Sequence, residues 1–287
     1  MEINGAAAVV TGGASGIGRA IAEELIRRKC KVAIADFDGE RAKTLAKELG
    51  ANAIGVRCDV SDHQSVEALR TQAEEAFGPL DLVFANAGVM PNGPLLHATP
   101  EQFDWVFGIN VRGAWSTATV FARRMRETGR NGWICITSSE HALGLQHLNA
   151  GIYTASKQAV LGMAEVLQGE LPKHIGVSGL CPGLTATELA QPKEFSPLPR
   201  KKEGEIAFGN AVMARGMSPA TVARAAVSGV ERGDFLIVTH STSFPPAKAR
   251  YDRIVEAFAK PLSEDAGNYD VQRTIAEVAA ERGMSQR

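Results

Sequence analysis

The chain has 287 residues, 45% of them hydrophobic and 22% charged, with a net charge of −1. This is globular composition with enough apolar content for one large core, and a near-neutral balance gives no field to gather nucleic acid or an anionic membrane. No run approaches the roughly 20 apolar residues of a membrane span, the first strand starts too close to Met1 to leave room for a signal peptide, and Cys30, Cys58, Cys135 and Cys181 form no C-x-x-C, which reads as buried reduced thiols in a cytoplasmic protein.

Short β-type runs alternate with longer helical ones along the chain. AAAVVTGG (6–13) reads as a strand ending in glycines, 16–29 as a helix, KVAIAD (31–36) as a strand, and 39–49 as a helix stopped by Gly50. AIGVRCDV (53–60) is the third strand, and Ser61 or Asp62 caps a helix that runs through Phe77. LDLVFANAG (80–88) is almost wholly apolar, as expected of a strand buried on both faces of a parallel sheet. Thr99-Pro100-Glu101-Gln102 has the form of a capping box with proline in the first turn, and opens a helix to about Glu127 with Gly108 and Gly113 as weak points. GWICITSS (132–139) is a strand, a helix containing YTASK ends near Pro172, and IGVSGLCPG (175–183) and FLIVT (235–239) are the last strands. Repeated β-α alternation predicts one doubly wound parallel sheet of about seven strands, helices on both faces, within a single domain over 1–287. Residues 188–217 break the pattern and read as a lid or loop insertion, and 241–287 as a C-terminal helical extension.

Three places along this pattern carry chemistry. TGGASGIG (Thr11 to Gly18) joins the first strand to the first helix, where glycines admit a close phosphate and the helix N-terminus offers free N–H groups. Gly12, Ser15, Gly16, Ile17 and Gly18 are therefore candidate dinucleotide contacts, although an ordinary tight β-α connection uses the same residues. Asp36 closes the second strand, where a carboxylate can accept from the adenine ribose hydroxyls and repel a 2′-phosphate; no basic residue precedes Gly16, so NAD is expected over NADP. An acid capping the next helix would look the same. Asp59 after the third strand is placed for the adenine amino group or for a helix cap, and Phe37 and Val60 flank the two acids as further cofactor candidates. In YTASK, Tyr153 and Lys157 are four residues apart, on one helix face one turn apart. An ammonium there favours the phenolate and would bring a group of pKa about 10 towards neutral use as a general acid/base, whereas a surface Tyr–Lys pair has the same spacing.

With TGGASGIG, CDV, ANAG, the serine-rich strand end and YTASK in this order, the chain resembles the short-chain dehydrogenase/reductase family over about residues 3–240. The resemblance implies a Rossmann fold, NAD(P) binding and hydride exchange between nicotinamide and an alcohol or carbonyl. By this resemblance Gly12, Gly16 and Gly18 hold the pyrophosphate turn, and Asn86, Ala87 and Gly88 pack the fourth strand against the cofactor. Asn110 supports a proton-relay water, Tyr153 is the acid/base, and Lys157 holds the nicotinamide ribose and lowers the tyrosine pKa. Pro182 and Gly183 match the family's P-G turn, with Thr185 and Thr187 near the carboxamide and pyrophosphate. One departure concerns the catalytic serine, expected thirteen residues before the tyrosine, where this chain has Glu140; Ser139 is the preferred candidate and Ser138 the reserve, with one residue inserted in EHALGLQHLNAG.

These readings predict an NAD-dependent oxidoreductase acting on a secondary alcohol or ketone, with a non-catalytic NAD-binding regulator or an NAD-retaining isomerase or dehydratase as alternatives. Leu143, Leu145, Leu148, Phe195 and Phe208 are expected to form an apolar substrate pocket. His97, His141 and His147 read as exposed loop residues or polar substrate contacts, Glu140 as a substrate contact or a solvated acid, and no histidine spacing calls for a metal. The tail arrangement loosely resembles family members that oxidise aryl-ether benzylic alcohols. The partner is a small molecule, and the resemblance implies a homodimer or homotetramer packed through the helices at 100–127 and 153–171.

Overall fold

Seven strands form one sheet in the order β3-β2-β1-β4-β5-β6-β7, and every pairing is parallel. The strands are β1 (Ala7–Thr11), β2 (Lys31–Asp36), β3 (Ala53–Arg57), β4 (Leu82–Ala85), β5 (Gly132–Thr137), β6 (Ile175–Cys181) and β7 (Leu236–Val238). The computed structural model describes residues 1–189, 196–198, 202–259 and 270–282. They separate into two units: Met1–Ala247, which carries the sheet and takes in the first residues of the expected extension, and Lys248–Arg287.

Side chains alternate across the sheet, so each central strand feeds two cores. Val9, Val83 and Ile134 bury into one face with Leu69, Phe121 and Val160. Val10, Phe84 and Cys135 bury into the other with Leu25, Leu45 and Val227. This two-sided burial explains why the strands read as unbroken apolar runs. The helices are α1 (Gly16–Arg27), α2 (Gly39–Leu49), α3 (His63–Phe77), α4 (Pro100–Val106), α5 (Gly113–Thr128), α6 (Glu140–Leu143), α7 (Gly151–Glu170), α8 (Glu203–Met213), α9 (Pro219–Arg232), α10 (Phe244–Phe258) and α11 (Val271–Glu281). Asp38 and Asp62 cap α2 and α3, accepting from the Arg41 and Gln64 N–H groups, and Thr99 and Gln102 make the expected reciprocal box at α4.

Several boundaries differ from the sequence reading for local reasons. The helix expected over 99–127 is interrupted by a π-helical turn at Phe107–Arg112, between α4 and α5. The fourth strand stops at Ala85 because Asn86 leaves the ladder to bond the glycine turn, and the sixth stops at Cys181 because Pro182 has no N–H to give. The insertion at 188–217 holds a regular helix, α8; residues 190–195 and 199–201, including the expected pocket residue Phe195, lie outside the described residues. Helix α9, capped by Ser218 with Pro219 in its first turn, and the single turn α6 were not anticipated. In the second unit, Lys248 pairs with Asp252 at 2.6 Å and Asp270 caps α11 through the Arg273 N–H at 2.7 Å.

The order β3-β2-β1-β4 places the reversal of strand order between β1 and β4. In open parallel sheets a crevice opens there at the strand C-termini, and the first-strand glycines and Asn86 both emerge at that point.

Candidate functional site

A cavity of about 1180 Å³ lies over this crevice. Its lining gathers Gly12, Ser15, Gly16, Ile17, Asp36, Phe37, Asp59, Val60, Asn86, Ala87, Gly88, Ser139, Tyr153, Lys157, Pro182, Gly183, Thr185 and Thr187, which is nearly every residue singled out from the sequence. Of the candidate cofactor and catalytic residues, Gly18 and Asn110 are the two that stand behind the wall.

The glycine turn is built for close approach. Gly12 and Gly16 have φ of 61° and 52°, a region costly for other residues. A Cβ on Gly12 would lie 2.8 Å from the Ala87 Cα, and one on Gly18 would meet the Gly12 carbonyl. Ser15 caps α1 through its backbone alone, so the N–H groups of the first turn stay free of a side-chain acceptor. Asn86 fixes the loop from β4: its Nδ2 donates to the Thr11 carbonyl at 3.1 Å, and its backbone N–H donates to Thr11 Oγ1 at 3.0 Å.

Asp36 accepts from the Ala14 N–H at 3.0 Å and the Asp38 N–H at 3.1 Å, which aims its carboxylate across the turn. Beside it the Arg57 guanidinium covers the Phe37 ring at 5.2 Å. Asp59 accepts from both the N–H (2.9 Å) and the hydroxyl (2.7 Å) of Ser61. Close by in sequence, Arg41 in the first turn of α2 forms an ion pair at 3.0 Å with Glu188 after β6. Thr187 packs its methyl against Gly16, and Thr185 donates to the Gly183 carbonyl at 2.9 Å. Glycine-lined backbone, a free helix N-terminus and a carboxylate at the end of β2 fit the pyrophosphate and adenosine ribose of a dinucleotide.

The reactive end lies where β5, α6 and α7 meet. Ser138 and Ser139 face opposite ways. Ser138 donates to the Lys157 carbonyl at 2.7 Å and is structural. Ser139 caps α6 through the His141 N–H at 3.2 Å, and its hydroxyl is near enough to the Tyr153 phenol to favour the phenolate. Lys157 donates from Nζ to the Thr137 carbonyl at 2.8 Å, and its Nζ lies 5.8 Å from the Tyr153 ring centroid.

The electrostatics correct one expectation. Burial pushes the Tyr153 phenol up to about 12; the bond from Ser139 pulls it down, while Glu140 and Cys181 push it further up. Lys157 is itself driven down to about 8 by burial. In the protein alone, desolvation therefore outweighs the tyrosine–lysine spacing that was expected to lower the phenol.

Asn110 sits in the π-helical turn and is buried. Its Oδ1 accepts from the Val89 N–H (2.8 Å), and its Nδ2 donates to the Val89 carbonyl (3.0 Å) and Ser156 Oγ (3.0 Å). The side chain is thus committed to protein partners and does not reach the cavity; it pins the Gly88–Val89 loop to the helix carrying Tyr153.

Further corrections concern the substrate end. His141 is buried, its Nδ1 within 2.8 Å of Thr154 Oγ1 and its ring edge-on to Tyr153 at 5.5 Å, and it lines the cavity, so of the two readings the exposed loop position is the one that fails. Burial, with His147 adding to it, pushes it down to about 4 and keeps it neutral. His147 lines the cavity and His97 does not. Leu143, Leu145, Leu148 and Phe208 are not on the wall either; Leu143 is buried beneath α6 and the other three are exposed. The apolar wall is formed instead by Val89, Met90, Trp105, Leu184, Val212 and Met213, from loops and helix ends that no local sequence pattern connects. Glu140 also lines the cavity and accepts from Ser243 Oγ at 2.6 Å, so it is neither a loop acid nor freely solvated. Among the described residues no three His, Cys, Asp or Glu side chains converge as a metal set, and no helix is long and apolar enough to cross a membrane.

A family profile described as short chain dehydrogenase matches residues 6–196. The chain belongs to that family. It is 34% identical over 189 residues to a sorbitol dehydrogenase of Cereibacter sphaeroides, spanning 66% of this chain and 73% of the relative. Among solved structures, this short-chain dehydrogenase is similar to a family member from Burkholderia phymatum in complex with NAD, with a TM-score of 0.83 and 32% identity over 92% of this chain and 99% of that one. It also matches the apo form of LigO from Sphingobium sp. strain SYK-6, with a TM-score of 0.77 and 30% identity, covering 100% of both chains.

Proposed function

We propose that this short-chain dehydrogenase transfers a hydride between NAD(H) and a secondary alcohol or ketone of fairly apolar, aryl-compatible shape. The observation that carries the reading is that Ser139, Tyr153 and Lys157 line one cavity together with the glycine turn, the Ser139 hydroxyl near enough to act on the Tyr153 phenol and Lys157 Nζ 5.8 Å from its ring centroid. Bound nicotinamide would supply the hydride acceptor. The protein's own groups do the rest. Ser139 donates to the substrate oxygen, and Tyr153 Oη takes the hydroxyl proton during oxidation and returns it during reduction. Lys157 Nζ, fixed by the Thr137 carbonyl, stands where it can hold ribose hydroxyls and lend positive charge to the phenolate. The Asp36 carboxylate favours NAD, because a 2′-phosphate beside it would meet like charge.

The apolar wall from Val89 to Met213 supports a substrate with an apolar body. Four free, buried cysteines are compatible with a cytoplasmic setting. Exposed Phe103 and Trp115, on α4 and α5, and Val166 on α7 fit homo-oligomer packing through those helices. The test is turnover of a panel of secondary alcohols with NAD⁺ and NADP⁺, followed as reduced nicotinamide, for wild type and Tyr153→Phe. Wild type should prefer NAD⁺, and the variant should lose several orders of magnitude in kcat while still binding NAD⁺. Comparable turnover by Tyr153→Phe would remove Tyr153 from the chemistry.

A further inference from the structure

Glu140 follows Ser139 directly and opens α6, on the cavity wall. Its backbone N–H donates to the Pro182 carbonyl at 2.9 Å, and its Oε2 accepts from Ser243 Oγ at 2.6 Å, a hydroxyl with no exposure of its own. On the other side the carboxylate occupies space that only a glycine at 183 leaves open. A Cβ there would lie 2.8 Å from Glu140 Oε2 and 2.7 Å from the His240 ring. The serine and the absent side chain therefore fix where the carboxylate stands, one residue from the hydroxyl that meets Tyr153.

The second oxygen, Oε1, has no protein donor among the described residues. Nor does a Lys, Arg or His nitrogen approach the carboxylate within 4.0 Å among them. The nearby imidazole of His141 is held neutral by burial. A half-buried carboxylate with no cation is destabilising, and a cavity-lining one is relieved by a donor that arrives with the ligand. Val89, Met90, Trp105 and Met213 on the same cavity wall offer apolar surface to the rest of a substrate.

We infer that Glu140 is a specificity-determining residue, and that the substrate carries a hydrogen-bond donor, a hydroxyl or an ammonium group, close to the carbinol that reacts. The inference rests on the oxidoreductase reading, because Ser139 and Tyr153 locate that carbinol. The substrate class is then a diol or an amino alcohol with an apolar body.

The probes are a phenyl-bearing secondary alcohol, its vicinal diol and its vicinal amino alcohol, each oxidised with NAD⁺ by wild type, Glu140→Gln and Glu140→Ala. A hydrogen bond to a charged group predicts a wild-type kcat/KM ratio of donor-bearing to plain alcohol of about tenfold or more. Glu140→Ala should bring both ratios near one. Glu140→Gln keeps an acceptor for Ser243; a hydroxyl donor would retain part of its ratio there, and an ammonium donor would lose it. Ratios near one in wild type, or ratios untouched in Glu140→Ala, overturn the inference. If wild type oxidises none of the three, the oxidoreductase reading fails by itself. Calorimetric binding of the same alcohols to NAD⁺-loaded wild type and Glu140→Ala then decides: a donor-dependent difference that vanishes in the variant supports the subsite, and equal binding overturns it.

Discussion

Ser138 and Ser139 are adjacent, both nearly buried, and the structure assigns them different work, so their alanine variants should separate two observables. Ser138 Oγ ties β5 to the Lys157 carbonyl at 2.7 Å. Losing one buried hydrogen bond there costs about 1 kcal/mol. For a unit of this size that lowers Tm by about 2–4 °C, and kcat/KM should stay within about tenfold of wild type. Ser139→Ala removes the cap of a single helical turn, whose bond to the His141 N–H is 3.2 Å long, so its stability loss should be no greater, at about 0.5–1 kcal/mol. It also removes the hydroxyl beside Tyr153 that, on the proposed mechanism, donates to the substrate oxygen, which by analogy with deleting one oxyanion donor is about a 100- to 1,000-fold loss in kcat. The assay pairs differential scanning fluorimetry with reduced-nicotinamide absorbance on the best wild-type alcohol. If Ser138→Ala abolished turnover while Ser139→Ala kept it, the orientation of the two hydroxyls described above would be wrong, and with it the placement of the substrate oxygen.

Asp36→Asn keeps an acceptor for the Ala14 N–H and removes the charge; KM for NAD⁺ should rise about tenfold and the preference over NADP⁺ should fall by a larger factor, both read from steady-state kinetics with the two cofactors. His141 links stability to acid pH. Its folded pKa of about 4 lies below the ordinary 6.5, so its contribution is complete above pH 6.5 and is lost as pH falls through 4, amounting to about 3 kcal/mol at most by linkage. Chemical denaturation of wild type and His141→Gln between pH 7 and 4 should show a steeper decline for wild type; parallel profiles would mean that the ring is not held neutral. The buried thiols act at the other end. Cys30 and Cys58 are raised to about 11, chiefly by burial, so the stability they share is present below pH 9 and lost as pH rises through 11. Cys58→Ser should flatten the alkaline decline of the denaturation free energy, and an unchanged slope would refute that assignment.

The sheet and the cofactor end could be read from sequence because their signals are local. β1, β4 and β6 are apolar runs ended by glycine, asparagine and proline, and each run, buried on both faces, has one reading. The turn from Gly12 to Gly18 and the Asp36 strand end lie within single β-α units, so spacing alone placed them. The substrate end could not be read that way. Its wall takes Val89 from the loop after β4, Trp105 from α4, Leu184 from the loop after β6 and Met213 from the end of α8. Leu145 and Leu148 were chosen because they stand beside Tyr153 in sequence, yet they are 50% and 77% exposed, pointing outward from the loop that includes the extra residue. That same extra residue was the one available signal for Glu140 and His141. In the fold the turn of α6 sets the buried His141 against Thr154 of α7 and the half-buried Glu140 against Ser243 after β7. Asn110 could be read as a polar residue in a helix, but the π-helical turn around it leaves no mark in spacing.

The reversed sign at Tyr153 bears on how this site works. Spacing put a cation near the phenol; depth then determined what the cation could do. Both groups sit where water is excluded, and burial acts against the charged form of each, raising the phenol to about 12 and lowering the amine to about 8. With Glu140 adding negative charge nearby, the protein by itself holds Tyr153 protonated across the physiological range. On the proposed mechanism a protonated phenol is the form that reduces a ketone, so in that direction the site would be ready as folded. Oxidation on the same mechanism would need the phenolate, and so further positive charge beside these two buried side chains, where a charge acts more strongly than in water. One of the three Lys157 N–H donors is held by Thr137, and the other two can turn to a ligand in the cavity the lysine lines. On the proposed mechanism the base would be withheld until the cleft is filled, and the burial that opposes the charge would magnify whatever charge a ligand brings.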